Sequence, residues 1–264
     1  QSNRGHIQMI PRRTFLATTA AAITFLPYAA RAAAHAGDSF ATDTGEIKVF
    51  PVDHASFVMT TPVGTIYNDP VGDPAMYADF PAADLILVTH EHGDHYNPET
   101  LAALIGDTTI LLVNPAVADK LPEELKSRAT VLANGEHALV GKIDVRAIPA
   151  YNTTEDRKQF HPEGRDNGYV LTIDGFRVYI SGDTEGTREM KALSDIDLAF
   201  VCMNLPFTMD ADAAAEAVAA FKPTYVYPYH YRGRDGGTQD PGAFAAAVGD
   251  ATTVKMGDWY HKEG

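Results

Sequence analysis

The chain has 264 residues and 45% hydrophobic side chains, enough for one sizeable core or two closely fused halves. Its formal net charge is −14, and it has no basic stripe of the kind that binds a phosphate backbone, so we expect no nucleic-acid partner. Cys202 is the single cysteine, which excludes an internal disulfide, and its apolar neighbours predict a buried thiol.

Residues 1–36 have the features of an export signal. Arg12 and Arg13 form a twin-arginine pattern ahead of an alanine-rich apolar segment that is too short for a membrane span. The eight residues before Met9 are interpreted as an added leader, and an ordinary N-terminal helix is the alternative to the signal. We therefore expect a periplasmic or secreted protein without stable membrane insertion after cleavage. Residues 37–264 contain no linker and are expected to form one domain.

The first half of this domain is predicted to be rich in short strands. Apolar, β-branched runs separated by Gly and Pro turns predict strands at residues 47–50, 56–60, 65–68, 85–88, 109–113, 130–132 and 144–148. Asn97 followed by Pro98 is typical of a helix start and predicts a helix to residue 105. The loop over residues 151–167 is long, polar and charged, which is typical of functional loops.

A second set of elements follows the same plan of strands and then helices. We predict strands at residues 168–173, 176–181, 198–202 and 225–227 and helices at residues 185–193 and 211–221. Asp174-Gly175 predicts a hairpin turn, Asp210 a helix cap, and Asp240-Pro241 the start of a terminal helix. The shared plan, with no sequence repeat, predicts two sheets packed face to face with helices outside.

The most informative segment follows the predicted strand at residues 85–88. It reads Thr89-His90-Glu91-His92-Gly93-Asp94-His95 and presents three imidazoles and a carboxylate within six residues. These ligand types suit zinc and its first-row neighbours. His90 and His92 can converge on one point, and Asp94 and His95 on a second point nearby.

Three further candidate ligands lie at a strand end or in a loop. Asp183 follows a predicted strand after Gly182, His230 ends another strand, and His161 lies in the long loop. Each is a weak signal alone, because turn aspartates and surface histidines are common. Together with the first segment they complete seven ligands for two metal ions.

The chain resembles the metallo-β-lactamase-fold hydrolases over residues 46–258. The pattern His90-x-His92-x-Asp94-His95 matches the signature of that superfamily. The segment Asp53-His54-Ala55-Ser56-Phe57 is similar to the "GHASF" strand of its ascorbate-phosphate lactonase-like branch of small metal-dependent hydrolases, with Asp53 in place of glycine. The resemblance implies an α/β fold, a four-layer αββα sandwich of two packed mixed sheets with outer helices.

The resemblance also implies the roles of the ligands. One metal would be held by His90, His92 and His161, the other by Asp94, His95 and His230, with Asp183 between them. Asn152 is the alternative to His161, since many relatives place this ligand directly after the preceding strand. His54 is expected to support the site rather than to bind metal.

Such a centre implies hydrolysis of an ester, lactone, amide or phosphoester of a small molecule. Two divalent ions, zinc or alternatively manganese or iron, lower the pKa of a shared water, and Asp94 is expected to orient it and accept its proton. Tyr229, Tyr231 and Arg232 flank His230. One of them is a candidate oxyanion donor, and Arg232 is a candidate to bind a substrate anion, with core packing as the alternative for the tyrosines.

Three other readings stay open at this stage. The first is a phosphodiesterase or nuclease of the same superfamily, and the acidic charge and the lack of room for an RNA-binding domain argue against the nuclease. The second is a β-lactamase, which is disfavoured by the Asp94-His95 pair and by Asp183 where a cysteine would be expected. The third is a metal-binding protein without catalysis, which has the same ligands.

The long loop carries a positive cluster of Arg157, Lys158 and Arg165, which could bind an anion or form a solvated face. Oligomeric state is not indicated.

Overall fold

The computed structural model describes residues 37–234 and 237–260, so the predicted export signal and leader lie outside the described residues. Two seven-stranded sheets form the molecule. The first contains β1 (Asp38–Ala41), β2 (Glu46–Asp53), β3 (Ser56–Thr61), β4 (Gly64–Asn68), β5 (Leu85–Leu87), β6 (Ile110–Val113) and β7 (Ala129–Val131). The second contains β8 (His137–Val140), β9 (Ile143–Ala150), β10 (Asp166–Ile173), β11 (Phe176–Ile180), β12 (Leu198–Cys202), β13 (Tyr225–Tyr229) and β14 (Thr253–Val254).

Six α-helices accompany the sheets in the described residues. They are α1 (Pro98–Leu104), α2 (Pro115–Lys120), α3 (Glu123–Lys126), α4 (Arg188–Lys191), α5 (Ala211–Phe221) and α6 (Pro241–Val248). Short 3-10 turns span Pro74–Tyr77 and Gly249–Ala251. Within the described part of the chain, no helix combines the length and apolarity needed to cross a lipid bilayer.

The two sheets have the same strand pattern. In each sheet the first four strands are antiparallel neighbours, and the last four are parallel neighbours. Parallel strands end at the same edge, so the residues that follow β4, β5, β11 and β13 are brought towards one another. The predicted fold of two packed mixed sheets with outer helices is confirmed.

The main core lies between the sheets and is rich in aromatic rings. Phe57 of β3 stacks on Phe200 of β12 at 4.1 Å between ring centroids, and Tyr227 of β13 stacks on the other side at 5.2 Å. A second apolar layer joins the first sheet to its helices through Leu101, Val117 and Leu125. Alanines of α5 pack on the second sheet, which gives the four layers.

Helix caps predicted from the sequence are present. Asp210 accepts a hydrogen bond from the Ala213 N–H, and Asn97 caps α1. The predicted helix at residues 185–193 is shorter, because Thr187 caps α4 and Glu185 is held by the neighbouring loop. The predictions omitted β1, β8, β14, α2 and α3, which are short. β8 is an edge strand with alternate residues exposed.

Candidate metal centre

The candidate ligands gather at the edge of the sandwich where the parallel strands end. His90, His92, Asp94 and His95 follow β5; Asp183 follows β11; His230 follows β13; His161 lies in the loop between β9 and β10. Gly182 has a φ of +60°, and a Cβ there would lie 2.9 Å from the Asn167 carbonyl oxygen. Glycine therefore allows the turn that brings Asp183 to the centre.

The side chains form three groups whose ligand atoms lie within 4.8 Å of one another. The groups are His90, His92 and His161; His90, His95 and Asp183; and His54, Asp94 and His230. All seven predicted ligands are therefore brought together. His54 belongs to the third group, although the sequence predicts that it supports the site rather than binds metal.

Asp183 lies between the groups. One carboxylate oxygen, Oδ1, is 3.4 Å from Nε2 of both His95 and His230, and the other, Oδ2, is 3.5 Å from Nε2 of His161. Its side chain is 3% exposed. A carboxylate whose two oxygens face different imidazole clusters has the geometry of a bridging ligand.

Asp94 faces both the histidines and the solvent. Its Oδ2 lies 3.3 Å from Nε2 of His230 and 3.5 Å from Nε2 of His54, and 48% of its side chain is exposed. Burial opposes ionisation of the carboxyl, but the His230 and His54 imidazoles outweigh it and hold the pKa well below its usual range. Asp94 is therefore an anion at neutral pH.

Polar partners fix the orientation of four imidazole rings. Each contact uses Nδ1 and directs Nε2 into the centre. The pairs are His95 with Asp69 at 2.8 Å, His161 with Asp166 at 3.0 Å, His90 with Thr89 at 3.0 Å, and His54 with the Tyr260 hydroxyl at 2.7 Å.

The inner nitrogens of the histidines fit a metal centre. Nε2 of His90, His95, His161 and His230 is buried without a hydrogen-bond partner among the described residues. Buried polar atoms are normally satisfied, and leaving one unpaired costs free energy. Four convergent unpaired nitrogens beside two carboxylates are therefore explained best by divalent cations.

Protonation of the cluster follows from burial and from the carboxylates. Burial holds the pKa of His90 well below its usual value, and the neighbouring His95 adds to this effect. Burial also opposes the charged form of His95, but Asp183 and Asp69 outweigh it and hold its pKa well above the usual value. Without metal, these two carboxylates therefore favour the protonated form of His95, and a metal ion would displace a proton from it.

A cavity of about 640 Å³ opens directly over the centre. Its floor contains His92, Asp94, His161, Asp183 and His230. Its other lining residues include Phe160, Asn204, Phe207, Arg232 and Arg234. The volume is in the range of small-molecule sites.

Comparison with known proteins identifies the family. A family model described as the beta-lactamase superfamily domain matches residues 48–230. The chain belongs to the metallo-β-lactamase superfamily. It is 32% identical over 218 residues to a UPF0173 metal-dependent hydrolase of Pyrococcus furiosus, covering 79% of this chain and 95% of that protein. A UPF0173 metal-dependent hydrolase of Pyrococcus abyssi is 33% identical over 217 residues, with the same coverage. The chain is therefore a member of this family of metal-dependent hydrolases.

Solved structures agree with this assignment. A Parabacteroides distasonis protein whose name places it among the metal-dependent hydrolases is 40% identical, with a TM-score of 0.77, covering 86% of this chain and all (100%) of that one. Igni18, a metallo hydrolase from Ignicoccus hospitalis, is 21% identical with a TM-score of 0.65, covering 80% of this chain and 94% of that one. The second likeness concerns the fold alone.

In this metallo-β-lactamase-fold protein, His161 rather than Asn152 faces the other ligands. The His161 ring lies 5.0 Å from His90 and 4.9 Å from His92 between centroids. The Asn152 side-chain amide instead donates to the carbonyl oxygens of Arg157 and Phe207. The Asn152 N–H donates to the His161 carbonyl, so Asn152 anchors the loop that carries the ligand.

The two tyrosines beside His230 are placed away from the reaction space. Tyr229 is fully buried and packs edge-on against Phe57 and Trp259, and Tyr231 packs against Tyr260. Neither belongs to the described residues that line the cavity. Neither tyrosine is therefore placed to support an oxyanion, and the alternative of core packing is favoured. Arg232 does line the cavity.

The positive cluster of the long loop is neutralised. Arg157 pairs with Glu185 at 2.9 Å, Lys158 with Glu155 at 2.6 Å, and Arg165 with Asp166 at 2.7 Å. Arg157 and Arg165 hold the loop in place through buried carboxylates, whereas Lys158 pairs with Glu155 on the exposed surface.

The sequence prediction missed the carboxylates that orient the histidines. Asp69 follows β4 directly, and Asp166 begins β10, so both lie at strand ends beside the ligands. An acidic residue at the end of a strand next to the ligand-bearing strand is the signal that could have found Asp69.

Proposed function

We propose that the protein is a dinuclear metal-dependent hydrolase that cleaves an ester, lactone, amide or phosphoester bond of a small molecule. The observation that carries the proposal is the position of Asp183, whose two carboxylate oxygens face separate imidazole groups. In this arrangement His90, His92 and His161 would hold one ion and His95, His230 and Asp94 would hold the other, with the Asp183 carboxylate between them. Zinc is expected, with manganese or iron as alternatives that accept the same ligands.

When bound, two divalent ions lower the pKa of water and polarise the oxygen of the bond under attack. The half-exposed carboxylate of Asp94 reaches the cavity and is placed to orient the attacking water and to accept its proton. Phe160 and Phe207 line the cavity beside the candidate ligands. The cavity volume of about 640 Å³ supports a small molecule as substrate.

Elemental analysis tests the two-ion centre. Protein purified without chelator is expected to carry about two equivalents of metal, and His161→Ala about one. His137→Ala is the matched control, because His137 is exposed on β8, away from the centre. One equivalent or fewer in the parent, unchanged in His161→Ala, contradicts the dinuclear proposal.

Turnover tests the hydrolase proposal and the bond type. We expect the loaded protein to hydrolyse at least one of a 4-nitrophenyl ester, an aliphatic lactone and bis(4-nitrophenyl) phosphate. Asp94→Asn is expected to reduce that rate strongly, and its metal content is measured alongside. Two bound ions without turnover of any of these would favour a metal-binding protein without catalysis.

We further propose export by the twin-arginine route, on the evidence of Arg12 and Arg13 and the apolar segment that follows. That route carries folded proteins, so the metal would be acquired before export. Cell fractionation followed by N-terminal sequencing tests this. A periplasmic product cleaved near Ala36 supports the proposal, and an uncleaved cytoplasmic product contradicts it.

A further inference from the structure

The cavity above the metal centre has an apolar wall. Phe160 and Phe207 lie edge to face with their ring centroids 5.1 Å apart, and both are only partly buried. The two rings come from different loops, one after β9 and one after β12. Large apolar side chains left partly exposed inside a concave site are typical of ligand contact.

The same cavity is lined by two arginines that lie over aromatic rings. The Arg232 guanidinium carbon lies 3.9 Å from the centroid of the Tyr260 ring, and that of Arg234 lies 5.6 Å from the centroid of Phe207. The arginines that form ion pairs among the described residues are Arg157, Arg165 and Arg188, so neither Arg232 nor Arg234 has a described carboxylate partner. Stacking orients a guanidinium without using its N–H donors, which stay available to a ligand.

Two other arginines near the site, Arg157 and Arg165, differ from Arg232 and Arg234 because they form ion pairs. Their guanidinium groups lie 2.9 Å and 2.7 Å from carboxylate oxygens, which offset their positive charge. In a chain of net charge −14, Arg232 and Arg234 line one cavity without a described carboxylate partner. Asp94 and Asp183 line the same cavity, and bound metal ions would offset their negative charge, so the two arginines would attract anions to the metal-loaded site.

We infer that the substrate is an amphipathic anion: its carboxylate or phosphate group binds Arg232 and Arg234, and its apolar part lies on Phe160 and Phe207. This inference rests on the proposed function and names its substrate class. A guanidinium binds both types of anion through paired N–H donors. The apolar wall selects a ligand with an aryl or alkyl group and disfavours a fully polar one.

Equilibrium binding tests the inference without requiring turnover. Isothermal titration calorimetry of the metal-loaded protein compares 4-phenylbutyrate, 3-phenylpropyl phosphate and neutral 4-phenylbutanamide. We expect one or both anions to bind at least about ten-fold more tightly than the amide. The tighter of the two anions identifies the group that the arginines accept.

Paired variants separate the arginines from the metals, since a carboxylate or phosphate can also bind a metal ion. Arg232→Gln with Arg234→Gln is expected to weaken anion binding at least about ten-fold with unchanged metal content and unchanged amide binding. Arg188→Gln with Lys191→Gln removes the same charge from an exposed surface and is expected to have no such effect. Phe207→Ala is expected to weaken 4-phenylbutyrate more than butyrate.

Equal binding of anions and amide by the parent would overturn the inference. So would anion binding that is unchanged in the arginine double variant, or reduced equally in the surface control. These outcomes are independent of the hydrolase proposal, which fails only if the loaded protein turns over none of the test bonds.

Discussion

Asp69 Oδ2 lies 2.8 Å from Nδ1 of His95, and both side chains are completely buried. The same carboxylate accepts hydrogen bonds from the N–H and the hydroxyl of Thr89, each at 2.7 Å. The pair therefore fixes the His95 ring and its tautomer, leaving Nε2 directed at Asp183. Asp69 belongs to the metal centre although it is too far behind the ring to bind a metal itself.

Asp69→Asn is predicted to weaken metal binding by about ten- to hundred-fold, because the amide no longer holds a negative charge against the imidazole. Competition with a chromogenic chelator measures the affinity of each site. Asp119→Asn is the control, since its side chain is 84% exposed and far from any histidine ligand. Unchanged affinity in Asp69→Asn would show that His95 needs no such partner.

Glu185 is predicted to stabilise the His161 loop in a pH-dependent way. Its Oε2 accepts from Thr153 and Thr154 N–H groups at 2.7 Å, and Oε1 accepts from Arg157 at 2.9 Å. Burial opposes ionisation, but these donors outweigh it and lower the pKa from its usual 4.5. A lowered folded pKa means that the stabilisation is complete above 4.5 and is lost as pH falls through the folded value.

Glu185→Gln should therefore lower the free energy of unfolding by about 1.5–3 kcal/mol at pH 7, the range for hydrogen bonds to a charged group. The difference from the parent should shrink below pH 4.5. Urea unfolding of the metal-free protein at pH 7 and in acid measures both values. Glu216→Gln, at a side chain that is 76% exposed, is expected to change neither. A difference that grows on acidification would contradict the assignment.

The ligands could be predicted from the sequence because their positions depend on local order. Four candidate ligands lie in a six-residue segment after β5, Asp183 lies three residues after β11, and His230 directly follows β13, so the convergence of parallel strand ends brings them together. The two-sheet fold could also be predicted, because the apolar runs indicate the strands and the repeated plan of strands and helices indicates two sheets. These features do not depend on the exact register of one sheet against the other.

The partners of the candidate ligands depend on strand pairing and on long-range packing. Asp69 reaches His95 only because β4 lies parallel to β5, and Tyr260 reaches His54 across 206 positions of sequence. Such contacts are set by tertiary packing, which a single sequence does not reveal. The same holds for Arg234, whose place over Phe207 depends on two loops that are distant in sequence.

His54 provides a direct test of how many side chains would hold a second metal ion in the proposed dinuclear centre. It has a φ of +54°, its N–H donates to the Trp259 carbonyl, and its ring centroid lies 3.8 Å from that of His230. Asparagine tolerates this backbone conformation, so His54→Asn removes the imidazole without straining the turn. We predict a loss of about ten-fold in the affinity for one of two metal ions. Chelator competition that matches the parent at both sites would place His54 outside the ligand set.

Trp259 is predicted to hold the chain near its C-terminal end against both the core and the metal centre. Its ring is 1% exposed and lies edge-on to Phe57, Phe200 and Tyr227 at 5.9–6.1 Å, while its carbonyl accepts from His54 N–H. Trp259→Ala should lower the free energy of unfolding by about 3–5 kcal/mol, the usual cost of removing a large buried ring. Circular dichroism must follow the unfolding, because the chain has a single tryptophan. Met256→Ala, at a side chain that is 54% exposed, should change stability little. Equal stability of the two variants would mean that this segment is not part of the folded core.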